Sequence, residues 1–194
     1  IENNRFCICP KLTTSSLQVL PIRYVPSAEK SVFSVEASAS LVQGCYTLYP
    51  SDWAGFYNKE KFIQLGGFDY TISSPYWQKL DLFFRAWLWG ESVSIDTSLS
   101  FAYAEEIPEE NKTMDLAYLR FYLKNLLPTF KTDHAEIPMQ SFIVVVLKMK
   151  KFSNLSEAVK SFFEARRWTK ENTYRFKKDA AYLIEHWGEE KKDD

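Results

Sequence analysis

Two adjacent glycines, Gly66 and Gly67, stand between two stretches rich in helix formers, and that arrangement dictates a sharp change of chain direction. Before them, Asn58 to Leu65 reads as a short helix with Phe62 and Leu65 spaced to share a face. Gly66 falls where a helix C-terminus takes a residue at positive φ, and Gly67 extends the turn without a side chain. After them, Ser74 followed by Pro75 gives an N-cap and first-turn signal. The spacing predicts a helix from about Pro75 to Trp89, stopped by Gly90. Tyr76, Leu80, Phe83, Phe84 and Trp87 form one apolar stripe on it. Gln78, Asp81, Leu82 and Arg85 lie on an adjoining strip, where Asp81 and Arg85 make an i, i+4 pair of opposite charge. Periodicity alone describes a helix–turn–helix piece of a core with one surface ion pair.

The wording of the stretch adds a second reading. Phe62, Gly66-Gly67-Phe68-Asp69 and then Trp77-Gln78-Lys79-Leu80-Asp81-Leu82-Phe83-Phe84-Arg85-Ala86-Trp87-Leu88-Trp89-Gly90 resemble the acceptor-side segment of GT-A glycosyltransferases. The run is similar both to the family 2 enzymes and to polypeptide N-acetylgalactosaminyltransferases, and it covers roughly Thr47 to Tyr103. The resemblance implies an α/β (mixed) fold, the C-terminal half of a GT-A-like nucleotide-diphospho-sugar transferase with short strands, followed by a helical extension. It also implies a nucleotide-sugar donor and a glycan, lipid-linked or peptide acceptor. Trp53, Gly66, Gly67, Asp69, Tyr76, Trp77, Asp81 and Arg85 are the positions it places around an acceptor.

Sugar transfer must neutralise a diphosphate leaving group, position the acceptor and, in inverting enzymes, remove the acceptor's proton. Families of this kind meet the first need with a D-x-D motif and a divalent cation, Mg or Mn, in the intact enzyme. No D-x-D occurs in these 194 residues, so no cofactor is expected in this chain and the nucleotide-binding half is expected elsewhere. Where family 2 has acids, this chain has Gln78 and Lys79; glutamine cannot take a proton, and lysine is ordinarily protonated. Asp52 and Asp69 are the remaining candidates for a catalytic base. The rival reading is a non-catalytic glycan- or protein-binding module descended from a transferase, which the Gln78-Lys79 pair favours.

The flanking sequence is less directive. Leu17 to Tyr24, Val32 to Val35 and Gly44 to Tyr49 have the β-branched or alternating character of short strands, with Asp52 and Trp53 in a turn. Val93 to Ile95 and Leu99 to Tyr103 alternate with period two, predicting two further strands. Glu105 to Glu110 reads as an acidic loop. Thr113 is placed to cap a helix from Met114 to Leu127, ended by Pro128. A boundary is expected near residues 128–137, dividing a domain over 1–130 from an all-helical region over 131–194. Helices are predicted over 139–151, from Asn154 to about Arg167, and from Thr169 to Trp187, before a disordered EEKKDD tail.

Net charge is −1, which gives no whole-chain case for nucleic acid. The charge is uneven, with ten basic residues against three acidic ones between Lys148 and Lys178. That run is a solvated helix face or a surface meeting anionic lipid. Three cysteines do not make a disulfide framework, and Cys7 and Cys9 on one side of a strand cannot easily bridge. This usage suits a reducing compartment, so a cytoplasmic location is expected, peripheral to the inner face of a membrane if the basic helices bind there. The first residue is Ile1 rather than Met, which points to a processed or excised piece.

Overall fold

The computed structural model describes residues 5–29, 32–39, 42–104, 109–149 and 154–189. The chain is mixed α/β, with small sheets and short helices, and forms two interleaved compact units. One draws on Ile1–Gly67, Glu91–Glu109 and Ile184–Asp194; the other on Phe68–Gly90 and Glu110–Leu183. The boundary expected near residue 130 therefore falls inside the second unit. What marks that place is a β-hairpin, whose Ala135 N–H donates to Thr173 O at 3.0 Å while Thr173 Oγ1 donates to Ala135 O at 2.6 Å.

In the first unit, β1 (Cys7–Thr13) lies between β4 (Phe56–Tyr57), antiparallel to it, and β5 (Val93–Ala102), parallel to it. Cys7 and Cys9 are buried free thiols, and burial pushes the Cys9 pKa up. Pro10 cannot donate to a ladder, and pairing jumps there: Pro10 opposes Asp96 and Lys11 opposes Ser100. The skipped residues are held locally, with Asp96 Oδ1 accepting from Ser98 N at 2.9 Å and Gln43 Oε1 from Thr97 N at 2.7 Å. The two strands predicted over 93–103 are thus one strand with a bulge. β2 (Arg23–Glu29) and β3 (Val32–Ser38) form a separate hairpin, and the stretch from Gly44 runs beside β5 as an isolated bridge from Tyr46 to Ser94, with Gly44 N donating to Ile95 O and Ile95 N to Cys45 O, both at 2.9 Å.

The helix before the paired glycines, α1 (Lys59–Gln64), forms for the local reasons the sequence supplies. Asn58 Oδ1 accepts from Lys61 N at 3.1 Å. At the other end Gly66 N–H donates to Ile63 O and Gly67 N–H to Phe62 O, a Schellman closure with both glycines at positive φ. A Cβ on Gly67 would meet the Phe62 ring at 3.3 Å, so a side chain there would press on that ring besides straining the backbone.

In the second unit, α2 (Pro75–Leu88) is buried on every side except at Pro75 and Gln78. The expected single stripe with an exposed polar strip is replaced by a helix enclosed all round. Next comes α3 (Leu116–Phe121), capped by Asp115 Oδ1 on Ala117 N at 2.8 Å rather than by Thr113. It runs into a π-helical turn over Tyr122–Leu126, where Leu127 N–H donates to Tyr122 O at 3.0 Å.

The region after Thr129 is not all helical. β6 (Thr129–Lys131) and β7 (His134–Glu136) pair before α4 (Phe142–Met149), α5 (Leu155–Glu171) and α6 (Ala180–Glu185). Asn154 caps α5 as expected, on Glu157 N at 2.9 Å. The long last helix predicted from Thr169 is instead split: Asn172 Nδ2 bonds Trp168 O at 2.9 Å at the end of α5, and Asp179 Oδ1 accepts from Tyr182 N to start α6. Leu119, Leu123, Ile137, Val145, Ala158, Phe162 and Ala165 form a core joining these elements. Residues 105–108 of the acidic loop, Lys150 and Lys151, and the tail from residue 190 lie outside the described residues.

Candidate functional site

The turn that follows the paired glycines sets one wall of a cleft in the second unit. Asp69 Oδ1 accepts from Thr71 N at 2.9 Å and from Thr71 Oγ1 at 2.6 Å, a side-chain closure typical of aspartate in turns. Gln78 reaches back from α2, its Nε2 donating to Asp69 O at 3.0 Å and Ile72 O at 3.3 Å. Gln78 therefore clamps the turn. Its neighbour Lys79 is also committed, buried and ion-paired with Glu110.

Asp81 is the electrostatic centre beneath this turn. It is fully buried and receives Arg85 at 3.2 Å, Asn125 Nδ2 at 2.8 Å and Lys124 Nζ at 3.1 Å. Lys124 also donates to Asp69 Oδ2 at 2.7 Å, so one ammonium joins the two carboxylates. Lys124 and Asn125 are consecutive, and the wide π-helical turn presents both to the same carboxylate. Two cations against two carboxylates leave the buried group neutral, the arrangement that makes such burial tolerable. The pair expected on the surface, Asp81 with Arg85, is in fact interior.

Partial burial works to raise the pKa of Asp69, but the Lys124 ammonium and the Thr71 donors outweigh it and hold it down to about 2. Asp69 is therefore a carboxylate at any physiological pH, a strong hydrogen-bond acceptor and a weak base. Its side chain is 17% exposed, and Oδ2 accepts only from Lys124 among the described residues. The cleft it opens into has a volume of about 220 Å³ and is lined as well by Arg120, Lys124, Ser161, Glu164 and Trp168. Arg120 donates to Thr71 O, fixing the turn from the opposite side. Trp168 forms the aromatic wall, with Lys124 Nζ 4.6 Å from its ring centre and Trp89 stacked at 5.9 Å.

Of the residues expected around an acceptor, Asp69, Asp81 and Arg85 come together here. In place of acceptor-facing rings, Tyr76 and Trp77 pack inside: Trp77 Nε1 donates to Thr113 O at 2.8 Å, and its ring meets Tyr76, Tyr118 and Phe121. Gly66 and Gly67 close α1 in the first unit. Asp52 and Trp53 also belong to that unit, in a tight turn where both take left-handed conformations, at φ 44° and 61°. Asp52 is exposed and accepts from Tyr103 OH at 3.0 Å; Trp53 O accepts from Tyr57 OH at 2.9 Å.

Lys124, Arg120 and Trp168 were not among the expected site residues. Lys124 adjoins the leucine stripe of its helix, Leu116, Leu119, Leu123 and Leu126, and so reads as a solvent-facing lysine. Trp168 sits in the most basic stretch of the chain, where it reads as part of a charged face. The one available signal was a large aromatic one step beyond the Ala158-Phe162-Ala165 stripe of α5.

No known protein family and no curated protein matches the chain. Among solved structures it is similar to a crystal structure of GalNAc-T7 with UDP, GalNAc and Mn2+, at a TM-score of 0.45 and 11% identity. The likeness spans 94% of this chain and 36% of that one.

Proposed function

We propose that the Asp69–Trp168 cleft binds a sugar, and that the chain is the acceptor-binding portion of a glycosyltransferase that uses a nucleotide-sugar donor. The observation that carries this reading is a permanently ionised carboxylate and an indole face lining one opening, with a lysine joined to both. Sugars offer hydroxyl donors at their edges and C–H faces that pack on aromatic rings. Few other neutral ligands use both surfaces at once. The volume is below the ~300 Å³ of common small-molecule sites, which suits a single ring. The motif around Gly66, Gly67 and Asp69, similar to GT-A acceptor segments, supports the same assignment.

Within this reading Asp69 orients an acceptor hydroxyl, and Asp81, itself held by Arg85 and Asn125, fixes Lys124 against it. As a base Asp69 is poorly matched, because its conjugate acid is too strong to retain a proton near neutrality. Asp52 is the other candidate base and belongs to the first unit. Of the two carboxylates that line the cleft, Asp69 and Glu164, Asp69 already accepts from Lys124. No step of the chemistry is assigned to a metal here.

The second reading, a glycan-binding module without transfer activity, is favoured by Gln78 and Lys79, which occupy the family's acidic positions and are bound into the structure. Titration of the chain with a panel of monosaccharides, followed by tryptophan fluorescence and proton NMR, tests the shared premise. Binding of one or more sugars is expected, weakened at least tenfold by Trp168→Ala or Asp69→Asn. Failure of every sugar to bind removes the premise. Incubating the longer protein that contains this chain with nucleotide sugars then separates the two readings, since only the first expects acceptor-dependent release of nucleotide.

A further inference from the structure

The helix α4 is apolar on two sides, and among the described residues one is buried and the other exposed. Val145 and Val146 are buried, and Phe142 packs on Phe162 and Phe163 with ring centres 5.1 and 5.4 Å apart. On another side Ile143 and Leu147, one turn apart, are 67 and 66% exposed, and Met139, in the 3-10 turn Met139–Ser141 that leads into the helix, is 47% exposed. Single exposed apolar residues are ordinary, but two on one helical edge with a third just before it form an apolar ridge.

This ridge begins at the rim of a second cleft of about 500 Å³, since Met139 and Gln140 also line it. The cleft carries Lys131, Arg166 and Lys170 against the carboxylate of Glu136, which Lys131 already pairs. Arg166 and Lys170 lie one turn apart on α5 and face the same opening. Arg166 is aimed by its Nε donating to Ile137 O at 3.2 Å. Three cations thus face one carboxylate, and an apolar edge bordered by an excess of positive charge is the pattern of proteins that lie on acidic lipid surfaces.

We propose that this face docks on an anionic bilayer, with Met139, Ile143 and Leu147 seated at the boundary of headgroups and acyl chains and Arg166 and Lys170 on lipid phosphates. Charge complementarity selects lipid over other occupants: a second copy would bring the same two cations to the contact. The face is built from residues other than those of the sugar cleft, so the two proposals stand or fall separately.

The test is flotation of the full chain with vesicles of phosphatidylcholine alone and of phosphatidylcholine with phosphatidylserine. Partition onto the anionic vesicles only, lost at high salt, is expected. Arg166→Gln with Lys170→Gln should lower the partition coefficient about tenfold or more, each cation contributing several-fold. Ile143→Asp with Leu147→Asp, changes at exposed positions, should abolish it. No partition by the wild-type chain at low salt overturns the proposal, as does equal binding to neutral vesicles. Self-association without lipid that Ile143→Asp abolishes would assign the face to a second copy and overturn it too.

Discussion

Asp69 and Asp52 are both turn aspartates beside aromatic residues, and the sequence offers little to rank one above the other. Their surroundings differ in kind. Asp69 is held by side chains: Thr71 beneath it, Lys124 across from it, and a second carboxylate sharing that lysine. Asp52 is held by backbone: two successive left-handed residues, one hydroxyl contact and open solvent. An aspartate tolerates that conformation better than most residues, whereas Trp53 does so at a cost of the order of 1–2 kcal/mol. The first arrangement sets the charge and position of a functional group through long-range partners, and the second sets the path of the chain. Nearness to an aromatic residue is thus a poor guide to which aspartate works on a ligand.

The contrast is sharpest in its energetics. Asp81→Ala would leave Arg85 and Lys124 buried without their shared counter-charge, and a loss of about 3–5 kcal/mol is expected in urea unfolding. A loss under ~1 kcal/mol would show that the network is far more hydrated than its burial implies. Acid should read the same network through Asp69. Its pKa is about 2 in the folded chain and ~3.9 in the unfolded one, so the folded state binds fewer protons between those values. The stabilisation is complete above pH ~4 and is lost as pH falls towards 2. It amounts to roughly 1–2 kcal/mol after allowance for solvent screening. Asp69→Asn should flatten that part of the stability curve; an unchanged acid limb would mean that Lys124 does not hold the carboxylate.

The smallest effect belongs to Asp52→Asn, because asparagine accepts the left-handed conformation and keeps an acceptor for Tyr103. Stability should change by less than ~0.5 kcal/mol. Burial, with help from Asp52, pushes the Tyr103 pKa up to about 12. Removing the negative charge should lower it, visible as phenolate absorbance appearing at lower pH. A large loss of stability would show that the Asp52 carboxylate does more than follow the turn.

What could be read in the sequence was what neighbours in the chain decide. Asn58, Gly66 and Gly67 fix α1 by bonds that span five residues or fewer; at α2 Ser74 holds the N-cap position without a side-chain capping bond, Pro75 begins the helix and Gly90 follows its end at positive φ. The outline of the mixed α/β fold follows from such signals. The cleft does not, because Lys124 reaches Asp69 across 55 residues and no pattern in the leucine stripe announces it. The same limit explains Trp77, which looked like a ligand platform and is a core ring bonded to Thr113. It explains the hairpin over 129–136 as well, where a shift in composition suggested a boundary and the pairing of two three-residue strands created continuity.

The π-helical turn of Tyr122–Leu126 has one more consequence. Such a turn is a helix carrying one residue beyond its regular repeat, so this segment should be sensitive to length more than to composition. Exchanging Tyr122 for another large residue leaves the count intact. Deleting it would restore regular winding and rotate one flank by about 100° relative to the other. Lys124 and Asn125 could then no longer meet Asp81 together. The spare residue thus acts as a phase adjuster, and the meeting of Lys124 with both carboxylates depends on its presence.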